Sequence, residues 1–222
     1  MKIKAFDKIL LMAVACFLLY AYIKPNLPME VVSMKIDEEV ERSVESFDDL
    51  IKQSKVIVKA TVAEAEEYVS EFYSGPVLTG LNIVEVYKGD YAAGDKIMIT
   101  EPYYFNPNTP NNKKLLSYYS NYAPSEKGKE YIFFLNDDIL YPRWDELYLS
   151  VVDYENGRFP VIDSAYARKK LDGSLSLIMD KTGSRLVIDK MEYTELGMAE
   201  DSRNNELYKE LYANVMAKYI FK

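Results

Sequence analysis

No histidine occurs anywhere in the 222 residues, and the one cysteine, Cys16, lies inside an apolar run near the N-terminus. These absences remove whole mechanisms: a Ser-His-Asp triad, a Cys-His pair, a histidine-ligated zinc and a four-cysteine cluster all need residues the chain does not possess. They also exclude a disulfide within the folded body, which a chain this long can spare, unlike a domain below ~80 residues. Basic residues are few as well, 27 Lys plus Arg against 35 Asp plus Glu, a net charge of −8. Four of the lysines (Lys2, Lys4, Lys8 and Lys24) fall in the first 24 residues against only Asp7, so the rest of the chain is more acidic than the total suggests. A phosphate backbone would repel such a body, and nucleic acid is not expected as a partner.

Carboxylates are the remaining route to an enzyme, because a glycosidase needs only two of them, ~5 to 9.5 Å apart, with one pKa raised by burial. Asp137, Asp138, Asp145, Glu146, Asp153 and Glu155 are the candidates, and none sits in a recognisable frame. The run Asp153-Tyr-Glu-Asn-Gly157 lacks the acid five residues before the glycine with which an EF-hand loop starts. The sequence therefore predicts no catalytic residue, no metal and no cofactor, with a carboxylate-based secreted hydrolase as the alternative.

What the chain does have begins at Ile9, where an uninterrupted apolar run extends to Ile23 (ILLMAVACFLLYAYI), bounded by Lys8 and Lys24. As a helix at ~1.5 Å per residue it reaches ~22 Å, short of the ~30 Å hydrocarbon core, a deficit that snorkelling lysines partly cover. Cleavage after Ala13-Val14-Ala15 would leave a poor signal-peptide layout. AVAC also resembles a weak bacterial lipobox in which Cys16 would be lipidated. The run is taken as an uncleaved signal anchor, with a cleaved secretory peptide or a lipoprotein as alternatives. In all three cases the lysines before the run and Glu30, Asp37, Glu38 and Glu39 after it place the body outside the cytoplasm by the positive-inside rule. The expected location is the cell membrane, single-pass, with the N-terminus inside.

Four regions follow from patterning: 1–24 as anchor or signal peptide, 25–45 as a juxtamembrane spacer with a short strand over Val31 to Ile36, 46–162 as a β-rich domain, and 163–222 as a hairpin and C-terminal helix packed on it. Ser46 has the chemistry of an N-cap for FDDLIKQ, with Asp48 and Asp49 in the first turn where the macrodipole favours them. From Val56 the period becomes two, and four further strands are predicted over Val77 to Val86, Lys96 to Thr100, Glu130 to Leu135 and Glu146 to Val152. Lys88-Gly89-Asp90, Ala93-Gly94-Asp95 and Lys127-Gly128-Lys129 mark turns, and Asn156-Gly157 suggests a hairpin. A second hairpin is expected in LSLIMDKTGSRLVID, with its turn near Lys181 to Gly183. Asp180-Lys181-Thr182-Gly183-Ser184 matches the phosphorylated loop of P-type ATPases by chance, since that chemistry needs several membrane helices and a large nucleotide-binding assembly. Leu207, Leu211 and Val215 recur every four residues, predicting an amphipathic helix between Ser202 and Phe221.

In this order the pieces SFDDLIKQSKVIVKATV, LNIVEVYKGDYAAGDKIMITEP, EKGKEYIFFLND and LYLSVVDYENGRFPVI resemble a small exported bacterial domain with an OB-like barrel of the netrin or metalloproteinase-inhibitor type. The resemblance spans residues 46–162 and implies a partly closed antiparallel five-stranded barrel with a helix against it. It does not imply protease inhibition, because that family chelates the protease zinc through an N-terminal cysteine that this body lacks.

One segment carries a functional expectation. Between Glu101 and Pro124 lie Tyr103, Tyr104, Phe105, Tyr118, Tyr119 and Tyr122 among prolines and asparagines. Loops of this length are usually functional or disordered, and solvated linkers are poor in aromatics. Tyrosine with asparagine suits recognition of glycans or protein surfaces, the rings stacking while hydroxyls and amides hydrogen-bond. Tyr103, Tyr104, Tyr118, Tyr119 and Tyr122 are the expected binding residues, for an envelope protein or glycan. The alternatives are that Asn112 caps a short KKLLSYY helix while the rings cover one end of the barrel, and that the protein is a structural or accessory envelope subunit. Trp144, the sole tryptophan, is read as a core or rim plug.

Overall fold

A computed structural model describes residues 31–36, 44–66, 77–106, 114–119, 122–137, 148–171, 181–192, 195–196, 198 and 205–221. The apolar run with Cys16, and Asp138, Trp144, Asp145 and Glu146, lie outside the described residues. The elements in chain order are β1 (Val31–Ile36), α1 (Phe47–Gln53), β2 (Val56–Glu66), β3 (Val77–Lys88), β4 (Lys96–Glu101), β5 (Tyr103–Asn106), β6 (Lys114–Tyr119), β7 (Glu130–Asp137), β8 (Leu149–Val151), β9 (Arg158–Pro160), α2 (Ser164–Lys170), α3 (Lys181–Asp189) and α4 (Glu206–Val215). A π-helical turn, Met216–Ile220, continues α4. Among the described residues no helix is long and apolar enough to cross a membrane.

The sheet β2-β3-β4-β8-β7 closes on itself because β2 pairs antiparallel with both β3 and β7. It is a closed five-strand barrel in a β-rich α+β fold. Register shifts between Ile57/Val58, Lys59/Ala60 and Val62/Glu64 bend the long β2–β3 pair, the curvature that closure of so few strands requires. Turns leave the strands where positive φ is needed: Gly89 at 106°, Gly94 at 96° and Gly128 at 81°.

Two features of the expected barrel are corrected. It is closed rather than partly closed, and it is not wholly antiparallel, since β8 lies parallel to β4 through Ile99↔Leu149 and Thr100↔Ser150. Direction requires this: β7 runs opposite to β2, β8 runs opposite to β7, and so β8 shares the direction of β4. The hairpin expected at Asn156-Gly157 is absent as well. β8 and β9 both pair with β7, through Leu135↔Val151 and Ile132↔Phe159, and form one interrupted strand along its edge. Phe134 bridges the interruption, its N–H donating to Gly157 O (2.8 Å) and its carbonyl accepting from Val152 N (2.9 Å). The looped-out residues are held by Asp153, whose carboxylate accepts from Glu155 N (2.7 Å) and Asn156 N (3.0 Å).

Two cores follow from alternation. Val56, Val58, Ala60, Val62, Leu81, Ile83, Ile99, Tyr131, Phe133, Leu135 and Val151 fill the barrel. Ile57, Ile132, Phe134 and Phe159 point outward and are covered by Leu50, Val187, Ile188, Leu211, Tyr212 and Val215 of the helices. β7 is therefore buried on both faces, which is why EYIFFL is a nearly continuous apolar run. α1 occupies the segment where the sequence placed a helix, with Ser46 Oγ accepting from Asp49 N at 3.2 Å.

The hairpin expected near Lys181 to Gly183 is corrected to helix α3. Gly183, Ser184, Val187 and Ile188 are its buried residues, a three-and-four spacing that seats a helix against α4. α2, capped by Asp163 accepting from Tyr166 N, was not anticipated at all.

Candidate functional site

The tyrosine-rich segment enters the structure as β5 and β6, antiparallel to each other, with β1 parallel to the far edge of β6. The helix entertained for KKLLSYY is thus a strand. Seven residues make a marginal helix in isolation, whereas β1 and β5 supply backbone partners on both sides of β6. The register sets Tyr118 opposite Tyr103 and Ser117 opposite Tyr104. Across the other edge, Lys35 and Ile36 lie opposite Tyr118 and Tyr119.

Successive residues of an extended strand face opposite ways, and the first pair shows it. Tyr103 is 2% exposed and joins the barrel core, while its neighbour Tyr104 is half-buried. Tyr122 is 3% exposed and also belongs to the barrel core. Tyr118 and Tyr119 are placed by backbone register.

Tyr103 and Tyr122 lie in a polar cluster that sequence reasoning missed. Its centre is Glu101, fully buried at the end of β4. One carboxylate oxygen, Oε1, accepts from Tyr122 Oη, Ser125 Oγ and Arg158 Nη1, the last at 3.2 Å. The other, Oε2, accepts from Thr79 Oγ1 of β3. Four donors match the roughly four acceptor positions of a carboxylate. Arg158, 4% exposed, also donates to Ser125 Oγ (2.6 Å) and to the carbonyl of Ala123. Its guanidinium lies 4.2 Å from the ring centroid of Tyr122 and 5.0 Å from that of Tyr131. Such a pair is tolerated in an apolar interior because the carboxylate takes four donors and the guanidinium donates through both Nη atoms.

The electrostatics follow. Burial works against the charged form of Arg158, but the Coulombic pull of Tyr122, Glu101 and Tyr131 outweighs it and raises its pKa further. Burial, the largest cause, raises the phenol pKa of both Tyr103 and Tyr122, and the charge of Glu101 adds to it. Both phenols are neutral at physiological pH, and that of Tyr122 donates to Glu101.

A period-two reading marks the inward polar positions of this cluster, though not their convergence. Glu101 continues the inward positions of Ile97 and Ile99, Thr79 falls between Val77 and Leu81, and Arg158 alternates with the outward Phe159. Polar residues at interior positions of a strand are the signal.

The carboxylates considered for catalysis are differently engaged. Asp137 pairs with Lys55 at 2.8 Å on the surface, Asp153 holds its loop, and Glu155 accepts from Asn205 Nδ2 at 3.1 Å. A separate groove of about 270 Å³ lies between α1, α3 and α4, floored by Phe47, Leu207 and Leu211. Lys181 bridges to Glu210 there at 2.9 Å and lowers the carboxyl pKa of Glu210, the reverse of what a general acid needs. Among the described residues no group of three or more carboxylates or cysteines could hold a metal ion. No protein-family model matches the chain, and no curated protein matches it.

Proposed function

We propose that this protein is a membrane-tethered, extracytoplasmic binding module without catalytic activity, recognising an envelope protein or glycan through the tyrosine sheet β1–β6–β5. The observation that carries the reading is the division of labour at Tyr103 and Tyr104: one ring is fixed in the barrel and the next faces the other way, half-buried. Tyrosines held on a paired strand lose little conformational freedom on binding, the property that makes them good recognition residues. An OB-like assignment of the barrel is supported by its strand order, in which the first strand pairs with the second and the fourth while the third lies parallel to the fifth. The tether is supported by the run Ile9 to Ile23 and by its distance from the sheet. Seven residues separate it from β1, a reach of at most ~25 Å at ~3.5 Å each, and β1 is laddered to β6.

Single alanine variants of the full chain at Tyr103, Tyr104, Tyr118, Tyr119 and Tyr122 test the surface. Capture of purified envelope glycans and envelope proteins is measured beside melting temperature. Tyr104→Ala should weaken capture with little change in Tm, since aromatic anchors contribute ~2 kcal/mol or more. Tyr103→Ala and Tyr122→Ala should lower Tm, because deleting a buried aromatic costs ~3 to 5 kcal/mol. Unaltered capture by every variant would remove the tyrosine sheet as the surface. Protease added to intact cells should digest the body, and full protection would refute the orientation. Mass spectrometry of the mature N-terminus separates anchor, secreted chain and a lipoprotein starting at Cys16.

A further inference from the structure

We infer that the buried Glu101–Arg158 cluster is a latch that ties both ends of the tyrosine-rich excursion to one point at the end of the barrel. Glu101 stands two residues before β5, where the chain leaves the barrel. Tyr122 and Ser125, where the chain returns, bind the same carboxylate oxygen although they are 21 and 24 residues further on. Arg158, from the strand β9, closes the neck a second time: it bonds Ser125 Oγ and the Ala123 carbonyl, and stacks on Tyr122. Thr79 of β3 completes the ring of donors. The neck is thus fastened to β3, β4 and β9 by side chains whose bonds converge on one carboxylate.

The barrel does not need these charges. Its strands are joined by backbone ladders around an aliphatic and aromatic interior, and a buried ion pair is often no more stabilising than apolar residues of the same volume. What the pair adds is direction. Apolar packing would bury Tyr122 in many orientations, whereas a carboxylate with four donors fixes one. The ladder of β1, β6 and β5 is internal to that sheet, so release of the neck would loosen the three strands as a unit against the remaining hold of the Tyr103 ring in the barrel core and the Tyr122–Met198 bridge. This holds whether or not the tyrosine sheet is the binding surface, because its test reads attachment rather than capture.

Hydrogen exchange on the full chain tests it, with Glu101→Gln, Arg158→Met and the double variant. In the double variant, which leaves no unpaired buried charge, amides of β5, β6 and 122–125 should exchange about tenfold faster or more, while those of β2, β3 and β7 change by less than about twofold. Each single variant, if it folds, should show the same contrast with some loss of Tm. Equal acceleration in the barrel strands and the tyrosine segment would mean that the cluster serves general stability and not a latch. Unchanged exchange in the segment, or a double variant that does not fold, would overturn the inference too.

Discussion

The most instructive single residue is Gly157, which the sequence offers as half of a hairpin turn. It is needed for a different reason. A Cβ there would stand 2.8 Å from the carbonyl oxygen of Asp153 and 2.8 Å from Cβ of Val151, so the glycine allows the excursion of 152–157 to fold back on the strand it interrupts. Gly157→Ala should therefore destabilise by ~1 to 3 kcal/mol, the usual cost of overpacking, read as a lower midpoint in chemical denaturation. A neutral result would mean the loop relaxes freely, contrary to the burial of Asp153 and Asn156. Tyr103 makes a parallel point: the sequence offers it as a recognition residue, and the structure buries it in the barrel core beside Glu101, Thr79 and Arg158.

At the scale of elements, packing decided what patterning left open. α4 was legible because Leu207, Leu211 and Val215 keep one face over three turns, and Leu211 and Val215 are buried while Leu207 packs at the margin. Leu211→Asp should cost several kcal/mol through an unpaired buried charge, and an unchanged Tm would mean that the helix is not docked. α2 is fastened by a different device. Glu195 accepts from Tyr166 Oη and from Lys170 Nζ, the latter at 3.1 Å, and caps the N–H of Glu192 at 2.7 Å. Burial pushes its carboxyl pKa up, but these three donors outweigh it and leave the pKa below the usual 4.5. A depressed folded-state pKa stabilises above the unfolded value and loses that contribution as pH falls through the folded one. Glu195→Gln should accordingly flatten the acid limb of the Tm profile below about pH 4.5, by a modest amount since the pair is partly solvated. An identical acid limb in wild type and variant would show that the contact carries no charge dependence.

For the whole molecule the dominant titration is that of buried phenols. Burial raises the pKa of Tyr103, Tyr122, Tyr208 and Tyr212 above the ordinary 10.0. Tyr208 donates to the carbonyls of Arg158 (3.2 Å) and Leu196 (2.6 Å) and Tyr212 to that of Pro160, so α4 is pinned to β9 by protonated hydroxyls. The unfolded state releases these protons first. Their contribution is complete below about pH 10 and falls as pH rises from there towards the folded-state values. Alkaline titration should show tyrosinate absorbance in two phases, the second coincident with loss of far-ultraviolet circular dichroism. Full ionisation before any loss of secondary structure would contradict the burial.

Read alone, the sequence determined whatever depends on local spacing and on residue types that are missing. Period-two runs located the five barrel strands, glycine at positive φ located their turns, and four-residue spacing located α4. The absence of histidine and of any second cysteine excluded most catalytic chemistry before any fold was known. Only the tertiary structure decided which strands are neighbours. The parallel contact of β4 with β8, the conversion of KTGSRLVID to a helix and the assembly of β1 with a strand some eighty residues away all depend on partners distant in sequence. The candidate site belongs to this second class. Glu101 and Arg158 lie 57 residues apart, and the balance between a ruinous buried charge and a satisfied one rests on donors that converge only when the barrel closes.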